Sequence, residues 1–135
     1  MASTAAADAT LSPETAVEQA NALLTAGDTG GALALLAPFA AGDRVALAPR
    51  FLMSMAAWKM GRLDWSIELM RQCHEAFPMN GTVAEALASL YAQAGDLRES
   101  LFMGKLGTAL GGPGALSELV PAGFPNFDWA FYSIK

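Results

Sequence analysis

Cysteine is almost missing from this chain: Cys73 stands alone among 135 residues. No internal disulfide can form, which suits a reducing compartment and sets the expectation of a cytoplasmic protein. Histidine is as scarce, with His74 the only one. One His and one Cys are too few for a zinc site built from protein ligands alone. Adjacent residues on a helix diverge by about 100°, so Cys73 and His74 do not meet as nucleophile and base. Charge is sparse too, at 16% of residues, with 8 Lys and Arg against 13 Asp and Glu for a net charge of −5. An acidic chain without a Lys/Arg run lacks the electrostatic footprint for nucleic acid or anionic lipid. No apolar run reaches the roughly 18 residues that would suggest a membrane span, so no membrane insertion is expected. The opening stretch "MASTAAADATLSPETA" has neither the basic patch nor the apolar run of a signal peptide. β-branched residues are few, which argues against a sheet.

What is plentiful is apolar and helix-forming. Hydrophobic residues make up 53% of the chain, too many for disorder, and alanine and leucine favour helix. The length suits one domain able to bury a core without disulfides or metals. Residues 1–12 read as a flexible tail of small residues.

The main signal is an internal period. "LLTAGDTGGAL", "AAWKMGRLDWSI" and "AQAGDLRESL" look alike, and their glycines, Gly27, Gly61 and Gly95, stand 34 residues apart without insertion. Each follows one apolar helical run and precedes another. A glycine just past a helix end adopts positive φ without steric cost, so each unit reads as helix, tight turn, helix. Pro13 and Pro49 fit the first turn of a helix, where the missing N–H is harmless; Pro78 and Pro113 stop helices. The pattern predicts antiparallel helix pairs at 13–26 with 30–40, 47–60 with 63–77, and 82–94 with 97–110. Pro38 should shorten or kink the second of these helices.

This arrangement resembles the tetratricopeptide repeat, whose period is 34 residues. Aligned on the glycines, the units are 13–46, 47–80 and 81–114. Leu87, Ala88 and Tyr91 match the family's large, small and aromatic positions. Ala32, Ser66 and Ser100 match its early small position in the second helix, Cys73 and Gly107 the later one, and Pro78 its closing proline. Unit one departs with Phe39 at the later small position, and unit three with Gly104 where a bulky residue is usual. The resemblance implies an all-α fold, a right-handed α-solenoid of antiparallel helix pairs with a C-terminal capping helix. Such a stack buries its core only by repetition, and three units roughly reach the threshold for stability. The segment 115–135 is the candidate cap, or a linker to a further domain. Pro121, Gly123 and Pro125 break it, and Asn126 would cap a short last helix. Its aromatics (Phe124, Phe127, Trp129, Phe131 and Tyr132) should pack over the end of unit three or into the groove.

The family lines its concave face with first helices. That implies a groove made by Val17, Asn21, Leu24 and Thr25, by Phe51, Met55, Trp58 and Lys59, and by Glu85, Ser89 and Gln93. Phe51, Met55 and Trp58 share one helical stripe, which is either the groove wall or core between units; the opposite face (Leu52, Met53, Ala56, Ala57, Met60) already supplies packing. Some relatives clamp a partner's terminal carboxylate with lysine and asparagine. Here at most Asn21 is kept, Val17 stands where a lysine is wanted, and Lys59 is the only cation in the expected groove. An apolar or helical segment of another protein is therefore the expected ligand.

Nothing in the chain points to chemistry. "LGGPG" follows no strand, and Pro113 removes a donor, so it reads as a helix stop rather than a phosphate loop. Asp96 and Glu99 suit a helix start, Glu14 and Glu18 a solvated face, and the methionines core filling. The expectation is a non-enzymatic protein-interaction module, an adaptor or chaperone, without cofactor or metal. Two alternatives stand beside it: the acceptor-recognition domain of a larger enzyme such as a bacterial protein glycosyltransferase, and a structural homo-oligomer.

Overall fold

The three glycines at 34-residue spacing all adopt positive φ, at 92° for Gly27, 80° for Gly61 and 85° for Gly95. Around each, the same two hydrogen bonds close the preceding helix. Gly27 N donates to Leu24 O at 3.1 Å and Asp28 N to Leu23 O at 2.8 Å. The pairs Gly61–Trp58 and Arg62–Ala57, then Gly95–Ala92 and Asp96–Tyr91, repeat this in the next two turns. These bonds satisfy carbonyls that the helix end would leave unpaired. The residue after the glycine then opens the next helix. Asp28 accepts from Gly31 N at 2.9 Å and Asp96 from Glu99 N at 3.3 Å, the N-cap role short polar side chains favour. Arg62 holds that place in the middle turn without a side-chain cap.

The computed structural model describes residues 11–40, 45–111 and 114–129. Within them the chain forms α1 (Pro13–Thr25), α2 (Thr29–Leu36), α3 (Leu47–Lys59), α4 (Leu63–Ala76), α5 (Gly81–Gln93) and α6 (Leu97–Ala109). No strand occurs among the described residues, and the fold is all-α. Each helix lies within a residue or two of its expected bounds except α2. That helix ends at Leu36 and continues as a 3-10 turn, Ala37–Phe39, because Pro38 cannot donate back to the preceding turn. Pro13 takes the first position of α1, whose N-cap Ser12 accepts from Thr15 N at 3.1 Å. Asn80 caps α5 through Val83 N at 3.1 Å.

The helices pack in consecutive pairs, α1 on α2, α3 on α4 and α5 on α6, and α3 also touches α1 and α2 while α4 touches α5. One continuous apolar core runs through all of them. Small residues decide how closely the pairs approach. Ala32, Ser66 and Ser100, at equivalent places in the second helices, are fully buried. Between α3 and α4 two serines bond reciprocally, Ser54 Oγ to Ser66 O at 2.7 Å and Ser66 Oγ to Ser54 O at 2.8 Å, so neither buried hydroxyl is left unsatisfied. Between α5 and α6 a Cβ at Gly107 would lie 2.6 Å from Glu85 Cγ and 3.2 Å from Gly81 O, so glycine here lets the two helices approach closely.

After α6 the described chain resumes at Gly114. It forms a 3-10 turn, Ala115–Leu119, and then runs without regular structure to Trp129. Residues 120–128 are non-helical, and helix begins again only at Trp129, with Asn126 three residues before it. Pro121 and Pro125 supply no amide donors and Gly123 adopts φ 87°, which together keep a helix from propagating. Trp129 is helical. Phe131, Tyr132 and Pro113, which also entered the reading of this region, lie outside the described residues, as does the tail 1–10.

Candidate functional site

The first helices of the three pairs, α1, α3 and α5, carry every residue expected to line a groove. The C-terminal segment 114–129 lies across that set. It starts beside α5, where Gly114 N donates to Thr82 Oγ1 at 3.0 Å. Its 3-10 turn then reaches the starts of α1 and α3, with Leu116 and Leu119 facing Pro13, Val17, Leu47 and Ala48 across an apolar cleft of about 490 Å³. Residues 118–122 pass Asn21, Leu24, Thr25 and Lys59. The chain then turns back. The Phe124 ring meets Trp58 edge-on, centroids 5.0 Å apart at 73°, and Ser89 Oγ donates to Pro125 O at 2.6 Å.

The predicted residues are thus brought together, but not as an open surface. Val17, Leu24, Phe51, Met55 and Ser89 are buried. Phe51 and Met55 belong to the same apolar cluster as Leu116, and so do Leu52, Ala56 and Ala57 on the other side of α3. The helix is buried nearly all round, and the choice between groove wall and core does not divide along its faces. Trp58 is half-buried and oriented from two sides, by Phe124 and by its Nε1 donating to Gln93 Oε1 at 2.7 Å. Gln93 in turn donates from Nε2 to Ser89 Oγ at 3.1 Å. A relay thus runs Trp58, Gln93, Ser89 and ends on a backbone carbonyl of the segment. Asn21 is half-buried, while Thr25, Lys59 and Glu85 stay exposed at the rim.

Sequence reasoning missed Thr82 and Ala86 on α5, which face Ser117, Val120 and Phe124. It also missed the specific use of Gly104. Trp129 packs there: a Cβ on Gly104 would lie 2.9 Å from Trp129 Cβ, Trp129 Nε1 donates to Thr108 Oγ1 at 2.8 Å, and Lys105 Nζ stands 5.7 Å from the ring centroid. The departure from the repeat pattern at Gly104 was the available signal, since a small residue in a bulky place makes room for a large one.

The charges that line this face, Glu14, Glu18, Lys59, Glu85 and Glu118, are exposed. The ion pairs, Arg62–Asp64, Arg71–Glu68 and Arg71–Glu75, lie on or beside α4 and partly exposed, where such pairs contribute little. The one thiol is elsewhere and inert: Cys73 is fully buried in α4, and burial pushes its pKa up to about 12 against a smaller opposing effect of Arg50. What the face offers is apolar contact, two hydroxyls that bond backbone groups and an oriented indole. That equipment suits holding a polypeptide segment. No protein-family model matches the chain, and no curated protein matches it.

Proposed function

We propose that this chain is a tetratricopeptide-repeat-like interaction module, three helix pairs stacked as a right-handed α-solenoid, which binds a segment of another protein on the face of its first helices. The repeat reading is supported by the three identical turns 34 residues apart and by the small residues at equivalent buried positions. The binding reading is carried by one observation: a stretch of irregular polypeptide already lies on that face, held by Trp58, Ser89 and Thr82. The single unpaired cysteine favours a cytoplasmic setting.

Trp58 is the expected anchor, because tryptophans at the centre of an interface dominate binding energy. Its indole is half-buried against Phe124 rather than part of the fully buried core, so its removal should spare the helices. The test is selection from a displayed random-peptide library on the full chain carrying Phe124→Ala, which uncovers Trp58. Adding Trp58→Ala should weaken the selected peptides by about 2 kcal/mol or more, roughly 30-fold, with the helical circular-dichroism spectrum retained. A folded Trp58→Ala chain that binds them undiminished would sink the assignment.

A further inference from the structure

We infer that the face of the first helices is a receptor for an irregular segment carrying an aromatic residue beside proline, and that 114–129 is its built-in occupant, which an incoming segment of that chemistry must displace. The inference deepens the binding reading above and rests on it.

The segment differs from core in ways that matter for displacement. Leu116 is its only buried side chain among the described residues, and Leu119, Val120, Phe124 and Phe127 are half-exposed. Its internal backbone bonds are local, Ser117 N to Gly114 O, Val120 N to Ser117 O and Phe124 N to Pro121 O. Lifting it therefore breaks no helix. The cleft of about 490 Å³ beside Leu116 and Leu119 is open to solvent, with Glu14, Glu18 and Glu118 in its lining, unlike the close contact of α5 and α6. The joint to α6 reads Gly111, Gly112, Pro113, Gly114, and Gly111 already adopts φ 100°, a conformation at which other residues are strained.

The occupant also defines what the face recognises. Its charges are Glu118 and Asp128, and Glu118 shares a pocket with Lys59, the cation of the face. Ser89 is fixed as a donor by Gln93 and reads a backbone carbonyl, that of Pro125, while Thr82 accepts a backbone N–H. Those contacts read backbone groups and no side chain. Selectivity falls to the Trp58 edge contact, which wants an aromatic ring at the place of Phe124. Flanking prolines such as Pro121 and Pro125 lower the entropy lost on binding.

The probe is a fluorescein-labelled synthetic peptide of residues 114–129. It should bind the full chain carrying Leu116→Ala and Phe124→Ala at least tenfold more tightly than the wild-type chain, and Trp58→Ala added to that variant should remove most of the gain. Equal affinity for wild type and variant would overturn the inference. If the double variant loses its helical spectrum, a chain with a protease site in place of Gly112 and Pro113 decides. Cutting it leaves every side chain of the face intact, and the labelled peptide should exchange with the cut segment. A cut chain that keeps its segment against excess peptide overturns the inference. So does a wild-type solution mass of twice the monomer that falls to monomer in the double variant, because a second copy's segment would then be the occupant. Library peptides that bind through Trp58 yet resist competition by the 114–129 peptide would leave the binding face standing and remove this inference alone. Absence of any Trp58-dependent peptide would remove the binding reading itself.

Discussion

Two buried side chains on neighbouring helices, Arg50 and Cys73, carry chemistry that the fold suppresses. Arg50 is 6% exposed. Its guanidinium donates to Ala40 O at 2.7 Å and to Gln72 Oε1, so it ties the end of the first pair to α4. Cys73 is a neutral thiol there, with its pKa pushed to about 12 from 9.0. Below about pH 9 both folded and unfolded thiols are protonated and the difference is silent. Between about 9 and 12 the unfolded chain releases its proton and the folded chain keeps it, so stability falls as pH rises, by at most about 1.4 kcal/mol per pH unit. Urea unfolding at a series of pH values above 9 should therefore show a steeper decline for wild type than for Cys73→Ala. The slope, not the absolute stability, is the readout, because the substitution also leaves a small cavity. Parallel slopes would mean that the thiol is solvated in the folded chain.

The helix pair is the element in which the repeat is encoded, and its turn is the sensitive point. Gly95 sits at φ 85° with nothing within 4 Å of an added Cβ. Any cost of substitution there is backbone strain, free of steric clash with neighbours. Gly95→Val should therefore destabilise by about 1 kcal/mol or more, seen as a lower melting temperature with unchanged helical content. An unchanged melting temperature would mean that the turn between α5 and α6 does not hold the left-handed conformation. The exposed N-caps matter less, as the middle turn manages with Arg62 and no side-chain cap.

Across the whole molecule, the C-terminal segment joins parts the helices leave apart. It touches α1, α3 and α5 on one face, and Trp129 then lands on α6 at Gly104 and Thr108. Deleting 121–135 removes Phe124, Phe127 and Trp129 together, and large aromatics bury about 150–250 Å² each. The truncated chain should keep its helical signal but melt at lower temperature and associate as concentration rises, measured by calorimetry and sedimentation. A truncated chain that melts with the full one and stays monomeric would show that the segment contributes no cover. Among the described residues no helix is long and apolar enough to cross a membrane.

Local rules reached a long way into this chain. The glycine spacing set five of the six helices within a residue or two, and Pro38 shortened α2 as its missing donor requires. The eleven groove residues lie on the first helices of the three pairs, as the helix bounds require, and Val17, Leu24, Phe51, Met55 and Ser89 are buried there. The aromatics of 115–135 are expected over the end of unit three or in the groove, but the same rules do not choose between the two or give the path of 114–129. It has prolines, glycines and no period, so its place depends on contacts between distant residues: Ser89 with Pro125, Trp58 with Phe124, Gly104 with Trp129. Arg50 escaped notice for the same reason, because its acceptors, Ala40 O and Gln72, come from two other elements. The chain's periodic chemistry determines the helices and their turns; only the packed molecule decides that the face of the first helices is covered by the chain's own end, because that choice is made by burial across elements and not by any neighbour in sequence.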